Sequence, residues 1–295
     1  MTSAVSIEPG GPAAAAVVAP SIHGVLPAAR TRWWVEALAI GWLLWVYDAV
    51  NNLAPLRLST ALAHSRSILS LEQSLGIDPE HALDSWLAGH HTLGLLLSDY
   101  YDNAHFIVTL SLLGWLWWRR ADLYRPLRNS LLLVNLLAFV VFWLYPVAPP
   151  RMLPGFTDVV SATHAFGSWH TGALASQANE LAAMPSLHIA WAVWCAVALW
   201  QLTRRAWIRV AATLYPCVTA VAVLSTGNHF VLDILGGLID ITLALLIVKI
   251  CSPYVRAPRR PFRGMAARKL PFPAKSDNPA YRMSQTCYEV QDQVD

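Results

Sequence analysis

The chain has 295 residues, of which 56% are hydrophobic and 13% charged, and a formal net charge of +3. So apolar a composition argues against one or two soluble domains. The small net charge says little about partners, though the basic C-terminal tail suits an anionic inner leaflet better than nucleic acid.

Long apolar stretches recur, and the fourteen tryptophans gather near their ends, as at Trp33-Trp34, Trp115, Trp117-Trp118 and Trp200. This is the interfacial aromatic belt of a helical membrane protein. The expected fold is all-α: a polytopic six-helix transmembrane bundle with spans near 33–50, 98–118, 129–146, 186–203, 206–224 and 229–250. Residues 1–29 are rich in Ala and Pro and read as a disordered cytoplasmic N-terminus. They have no basic n-region and only a short apolar run, Ala13 to Ala19, so no signal peptide is expected. Residues 30–251 form the transmembrane catalytic domain.

Between the first two spans, residues 55–92 are too polar to cross a bilayer. Asp78-Pro79-Glu80 reads as a helix start, with Asp78 as N-cap, and Gly89 as its stop. Leu83, Trp86 and Leu87 are expected to share one face. The segment reads as one or two amphipathic helices on the outer leaflet, with a soluble loop as the alternative.

The second span opens with Asp99, Tyr100, Tyr101, Asp102, Asn103 and His105, too many polar groups for a lipid-facing end. Asp48, Asn51 and Asn52 lie at the same level on the first span. Rim groups of this kind default to a functional reading. Interhelical hydrogen bonding is the equally open alternative.

After the third span, residues 147–185 form a second outer loop. It begins Val-Ala-Pro-Pro-Arg, a stiff stretch that would hold Arg151 in place. Loops this long are functional or disordered, and a lid over the site is the expectation. Arg151 offers forked donors that match phosphate oxygens, against the plainer reading of an interfacial anchor.

The fourth span opens with Pro185-Ser186-Leu187-His188. Proline suits a first helical turn, and the N–H groups beyond it make an anion site. Fifth and sixth spans are joined by Ser-Thr-Gly-Asn, ending at Asn228, and the sixth starts at His229. Asp233 follows four residues later, expected one turn along the same helix face. A carboxylate holding one imidazole nitrogen leaves the other free to attack, and a second histidine can serve as general acid. Asp240 lies deeper and is expected to make a buried polar contact with Asn135. Residues 252–295 form a basic tail, read as disordered and cytoplasmic.

Of the 21 Lys and Arg residues, all but Arg57, Arg66 and Arg151 fall on one side of these spans. The positive-inside rule therefore puts both termini in the cytoplasm and both histidines outside, in a plasma-membrane protein. Cys195 and Cys217 fall in spans, Cys251 at a cytoplasmic end and Cys287 in the tail, so no disulfide framework is indicated. The remaining histidines, His64, His81, His90, His91, His164 and His170, lack metal-ligand spacing, and neither metal nor other cofactor is assigned.

Pro185-Ser186-x-His188, followed by His229 and Asp233 four apart, resembles the type-2 phosphatidic acid phosphatase superfamily. The resemblance implies that His229 is the nucleophile, forming a phosphohistidine, that Asp233 orients it, and that His188 protonates the leaving group. Two family features are missing. Ala222 and Val223 stand where many of its phosphatases carry Ser-Arg, and Arg125-Pro126 lies on the cytoplasmic side with Trp118 in place of the lysine. Pro-Val-Ala-Pro-Pro-Arg and Ala-Met-Pro-Ser-Leu-His are instead similar to a bacterial branch resembling inositol phosphorylceramide synthases. That branch implies a headgroup site that includes Tyr101 and His105, with Arg151, Ser186 and Asn228 completing the substrate-binding set. A phosphodiester carries one negative charge where a monoester carries nearly two, so fewer cations suit a diester.

The expected activity is an integral membrane phosphotransferase that moves a phosphoryl headgroup, such as phosphoinositol, from a phospholipid to another lipid. The alternative is a phosphatase hydrolysing phosphatidic-acid-like or polyprenyl phosphomonoesters. A transporter or channel would need polar groups strung through the membrane, whereas only Asn135 and Asp240 lie deep. The headgroup, the acceptor and the oligomeric state are not legible.

Overall fold

The computed structural model describes residues 31–52, 57–163 and 181–251. The two expected tails, residues 164–180 of the outer loop and the side chains of Asp48, Asn51 and Asn52 lie outside the described part. The described residues form α1 (Trp33–Asn52), α2 (Leu58–Leu75), α3 (Glu80–Ala88), α4 (His91–Arg119), α5 (Ala121–Leu144), α6 (Val159–Thr163), α7 (Leu187–Leu202), α8 (Ala206–Ser225) and α9 (Val231–Cys251). A 3-10 turn spans Pro150–Met152, and one parallel bridge pairs Val147 with Ala182. Among the described residues there is no strand.

Three of these helices, α5, α8 and α9, are long and apolar enough to cross a membrane. The apolar part of α1, Trp33–Leu43, and α7 are shorter. Helix α4 has 29 residues, but its first half carries Asp99, Asp102, Asn103 and His105. Exposed apolar side chains mark the surface that hydrocarbon would wet: Trp207, Val210, Leu214, Val218 and Val221 recur every three or four residues along α8. Leu235, Leu238, Ile239, Leu243, Leu246 and Ile250 do the same along α9.

Helices α4, α5, α7 and α9 enclose the main core. It contains Leu116, Leu127, Leu131, Val134, Ala190, Trp194, Ala198, Ile241 and Ala244. Trp194 is fully buried, and its indole N–H donates to the Leu127 carbonyl at 2.9 Å and to Ser130 Oγ at 3.2 Å. Small residues let the helices close on one another where apolar burial alone gives little selectivity within lipid. Gly237 is the tightest case, because a Cβ there would overlap the Ser186 carbonyl oxygen.

Several boundaries differ from the sequence reading. Helix α4 begins at His91, so the polar run from Asp99 to His105 lies within the helix rather than at its end. Helix α5 starts at Ala121, well before 129, and Arg120 alone separates it from α4. Pro185 precedes the cap residue Ser186 and is outside α7. His229 likewise precedes α9, which opens at Val231.

Residues 58–88 do form two helices, but their inward faces are not those expected. Helix α2 buries Ala61, Ser65, Ile68 and Glu72, and α3 buries Glu80, Asp84 and Leu87. Trp86 is 54% exposed, so it does not share a face with Leu87. Pro79, not Asp78, is the residue before α3. The acids turn inward because α3 packs on α8 and α2 on α9, at the polar end of the bundle.

Asn135 and Asp240 do not pair. Asn135 donates its amide to the Leu131 carbonyl at 2.7 Å, and neither Asp240 carboxyl oxygen has a hydrogen-bond partner among the described residues. Their depth on two neighbouring helices placed them together in the sequence reading, but a local i−4 carbonyl satisfies the amide first.

Candidate active site

The turn between α8 and α9 is the foundation of the site. Helix α8 ends at Ser225, and Gly227 follows with φ of 67°. That left-handed conformation favours glycine. A Cβ at Gly227 would also lie 3.0 Å from Asp84 Oδ1 and 3.2 Å from the Thr157 carbonyl oxygen. Beyond it, the N–H groups of Asn228 and His229 both donate to the Val223 carbonyl, at 3.1 and 3.2 Å. His229 therefore sits on a hydrogen-bonded turn, 4% exposed, rather than on a helix.

Asp233 is the third residue of α9 and fully buried. Its Oδ2 accepts the Phe230 N–H at 2.8 Å, the reach-back of a capping box. The same oxygen faces His229 Nδ1 at 3.4 Å. The four-residue spacing thus brings carboxylate and imidazole together through helix capping, not through a shared helix face. On the other side of the ring, His229 Nε2 faces His188 Nδ1 at 3.4 Å. Both separations are long for hydrogen bonds, and such contacts often tighten only in the substrate complex.

His188 is the second residue of α7 and lies in an aromatic box. Tyr101 stacks on it at 4.4 Å between ring centroids, and His105 meets it edge-on at 4.3 Å. His105 Nδ1–H in turn donates to the Tyr101 carbonyl at 3.0 Å. Ser186, fully buried at the cap position, donates its backbone N–H to the Asp233 carbonyl at 3.0 Å, tying the start of α7 to that of α9. Its Oγ has no hydrogen-bond partner among the described residues. A buried hydroxyl without a partner, beside a helix N-terminus and two histidines, is a ready donor to an anion.

Arg151 is anchored at both ends. Its backbone N–H donates to the Gly227 carbonyl at 2.8 Å, and its guanidinium donates to Asn228 Oδ1 through Nη1 and lies 3.5 Å from Asp158 Oδ2 through Nε. The loop carrying it is clamped at Val147, which bonds Leu181 and Ala183 across the bridge. The eight residues expected from sequence lie near the start of α7 and the turn before α9, with Tyr101 and His105 contributed by α4. Asn228 reaches the site as a partner of Arg151, and its amide is held by Thr226.

Sequence reasoning missed a shell of buried acids behind this site. Glu72, Glu80 and Asp84 are fully buried. Burial raises the carboxyl of Asp84, partly offset by the Thr157 N–H that it accepts at 2.8 Å. Asp158 was missed as well; it accepts the backbone N–H and hydroxyl of Ser161 while facing Arg151. A signal for Glu72 was present: Ala61, Ser65, Ile68 and Glu72 recur at helical spacing along one stripe of α2. Among the described residues, no group of three His, Cys, Asp or Glu side chains is arranged to hold a metal ion.

Residues 66–247 match the family model of the PAP2 superfamily. The chain belongs to that superfamily, whose chemistry is that of lipid phosphatases and phosphotransferases. No curated protein and no solved structure matches it.

Proposed function

We propose that the chain is a multi-pass plasma-membrane phosphotransferase that passes a phosphoryl headgroup between lipids through a phosphohistidine on His229. The observation that carries the reading is the placement of one imidazole between Asp233 on Nδ1 and His188 on Nε2. Asp233 keeps the proton on Nδ1, so the Nε2 lone pair attacks phosphorus. The P–O bond to the donor's diacylglycerol oxygen breaks, and His188 delivers a proton to that oxygen. In the second half, the acceptor hydroxyl gives its proton to His188 and attacks phosphorus, releasing Nε2. Arg151 and the Ser186 hydroxyl stabilise the equatorial oxygens in both steps. Tyr101 and His105 hold His188 and face the headgroup.

The bundle in this reading has six spans, α1, α4, α5, α7, α8 and α9, with both termini cytoplasmic. Helices α2 and α3 lie at the outer leaflet, where exposed Leu71, Leu75, Ile77 and Trp86 support an interfacial position. A transferase is favoured over a hydrolase by the cation count: among the described residues Arg151 is the one arginine bonded to the site's turn, which suits a singly charged diester.

The purified protein is to be incubated with labelled phosphatidylinositol and membrane lipids, and the products identified by mass spectrometry. A new phospholipid supports the transferase. Inorganic phosphate released from a phosphomonoester, with no lipid-to-lipid transfer, would replace it with the phosphatase. His229→Ala should abolish turnover and any acid-labile phosphoenzyme; a phosphoenzyme that persists would exchange the roles of the two histidines.

A further inference from the structure

The first turn of a helix exposes backbone N–H groups that need acceptors, ordinarily supplied by a Ser, Thr, Asp or Asn at the cap. Helix α9 has Phe230 before it, which offers none. Asp233 covers the Phe230 N–H. The Leu232 N–H is taken by a residue 160 positions away: Glu72 Oε1, in the last turn of α2, accepts it at 2.6 Å.

Glu72 faces a second acid. Glu80 opens α3 just after the Gly76 turn, and both side chains are fully buried. Among the described residues, Glu72 Oε2 and both Glu80 oxygens have no donor from another residue in hydrogen-bonding geometry, and Glu80 has only its own N–H nearby. Asp78, in the turn before α3, and Asp233 on α9 also face the pair, and both carry the same sign. Two buried carboxylates in such surroundings do not both ionise, and a proton held between them satisfies oxygens that nothing else reaches. Burial, the Glu80 contact and the nearby acids push the Glu72 carboxyl up to about 9, against the lowering effect of the Leu232 N–H.

We propose that Glu72 and Glu80 form a proton-sharing carboxyl pair that positions His229 and Asp233 by anchoring the first turn of α9 through the Leu232 N–H. The pair touches no substrate and acts through α9. Its place in catalysis rests on the phosphohistidine reading; its geometry does not. With one proton the pair carries one negative charge, and Glu72 stays on Leu232. When that proton is lost, two like charges beside Asp233 push apart, and α9 loses an acceptor that Phe230 cannot replace.

The test uses the full chain in lipid nanodiscs. Difference infrared spectra of the wild type should show a protonated carboxyl that titrates near pH 9. Glu72→Gln and Glu80→Gln should both lack it, since each fixes the pair at one negative charge with an amide donor in place of the shared proton. The imidazole titration of His229, read by nitrogen NMR, should shift in Glu72→Ala and return toward wild type in Glu72→Gln. With phosphatidylinositol as donor, Glu72→Ala should lose roughly 10–100-fold in kcat at similar KM, the scale of one hydrogen bond to a charged group. Glu72→Gln should recover much of that loss, and its kcat should lack the wild-type decline above about pH 9. A wild type without the carboxyl band at neutral pH overturns the pair, and a His229 titration unmoved by Glu72→Ala overturns the positioning role. Should Glu72→Ala not fold, the two Gln variants decide through the same band and through the alkaline decline, whose persistence in both would overturn the proposal. The spectroscopic readouts need no turnover, so failure of the phosphohistidine reading appears separately, as turnover that survives in His229→Ala.

Discussion

The apolar centre of the bundle and its polar end solve opposite problems. Around Trp194, the buried indole N–H has two acceptors, Ser130 bonds the Leu127 carbonyl, and small residues let the helices close. At the polar end, the buried Ser186 Oγ and Asp233 Oδ1 have no hydrogen-bond partner among the described residues, and Glu72 and Glu80 have only each other's proton for the oxygens that face inward. An unsatisfied buried polar atom costs about 1–3 kcal/mol, so a cluster of them persists only where surrounding structure holds it. That structure is the Gly227 turn, the clamp at Val147 and the tie from Ser186 to Asp233. One region puts its packing into stability, and the other keeps the buried Ser186 hydroxyl available as a donor, the group that the proposed chemistry turns toward phosphate. Asp240 is the exception, a buried acid beside the apolar core with no hydrogen-bond partner among the described residues.

The separation can be broken by experiment. The largest expected effect is on chemistry alone: His188→Ala should lower kcat by ~10²–10⁴-fold without changing the melting temperature. The loss should be greater for an alkoxide leaving group than for a nitrophenolate. Equal losses on both would remove the acid role from His188.

Next, Trp194→Ala should cost about 3–5 kcal/mol of stability, through a cavity between α5 and α7 and two lost acceptor contacts. The fraction that remains folded should turn over normally, measured as kcat per folded molecule. If kcat fell in proportion to stability, core and site would be one unit.

Arg151→Lys should lower kcat/KM by roughly 10–100-fold, because a point ammonium cannot keep Asn228 and Asp158 while binding phosphate bidentately. Turnover like the wild type would reduce Arg151 to an anchor of the loop on Gly227.

The remaining effect is on stability against pH. Burial holds the folded-state carboxyl of Glu72 above its ordinary 4.5, at about 9. The folded protein therefore keeps a proton that the unfolded chain releases, so this contribution is complete below about pH 4.5 and is lost as pH rises to about 9. Thermal unfolding should show a decline across that window that Glu72→Gln flattens. A slope unchanged in the variant would assign the decline to other acids.

Much of this protein is written locally. Apolar runs of fixed length determine helices α5, α8 and α9 because a backbone in hydrocarbon must satisfy itself, and a helix does so within one segment. The motif residues were legible for the same reason: Ser186 and His188 lie at the start of one helix, and His229 and Asp233 straddle the start of another. What the sequence could not decide is where separate segments meet. The inward turn of Glu72, Glu80 and Asp84 depends on α2 and α3 packing over the Gly227 turn. The aromatic box on His188 depends on α4 packing against α7, which brings Tyr101 and His105 onto the imidazole. The missing cap of α9 is filled from α2, a residue 160 positions earlier in the chain. A local pattern fixes helices because their hydrogen bonds close within four residues; which buried carboxyl meets which exposed N–H is settled only when distant helices pack.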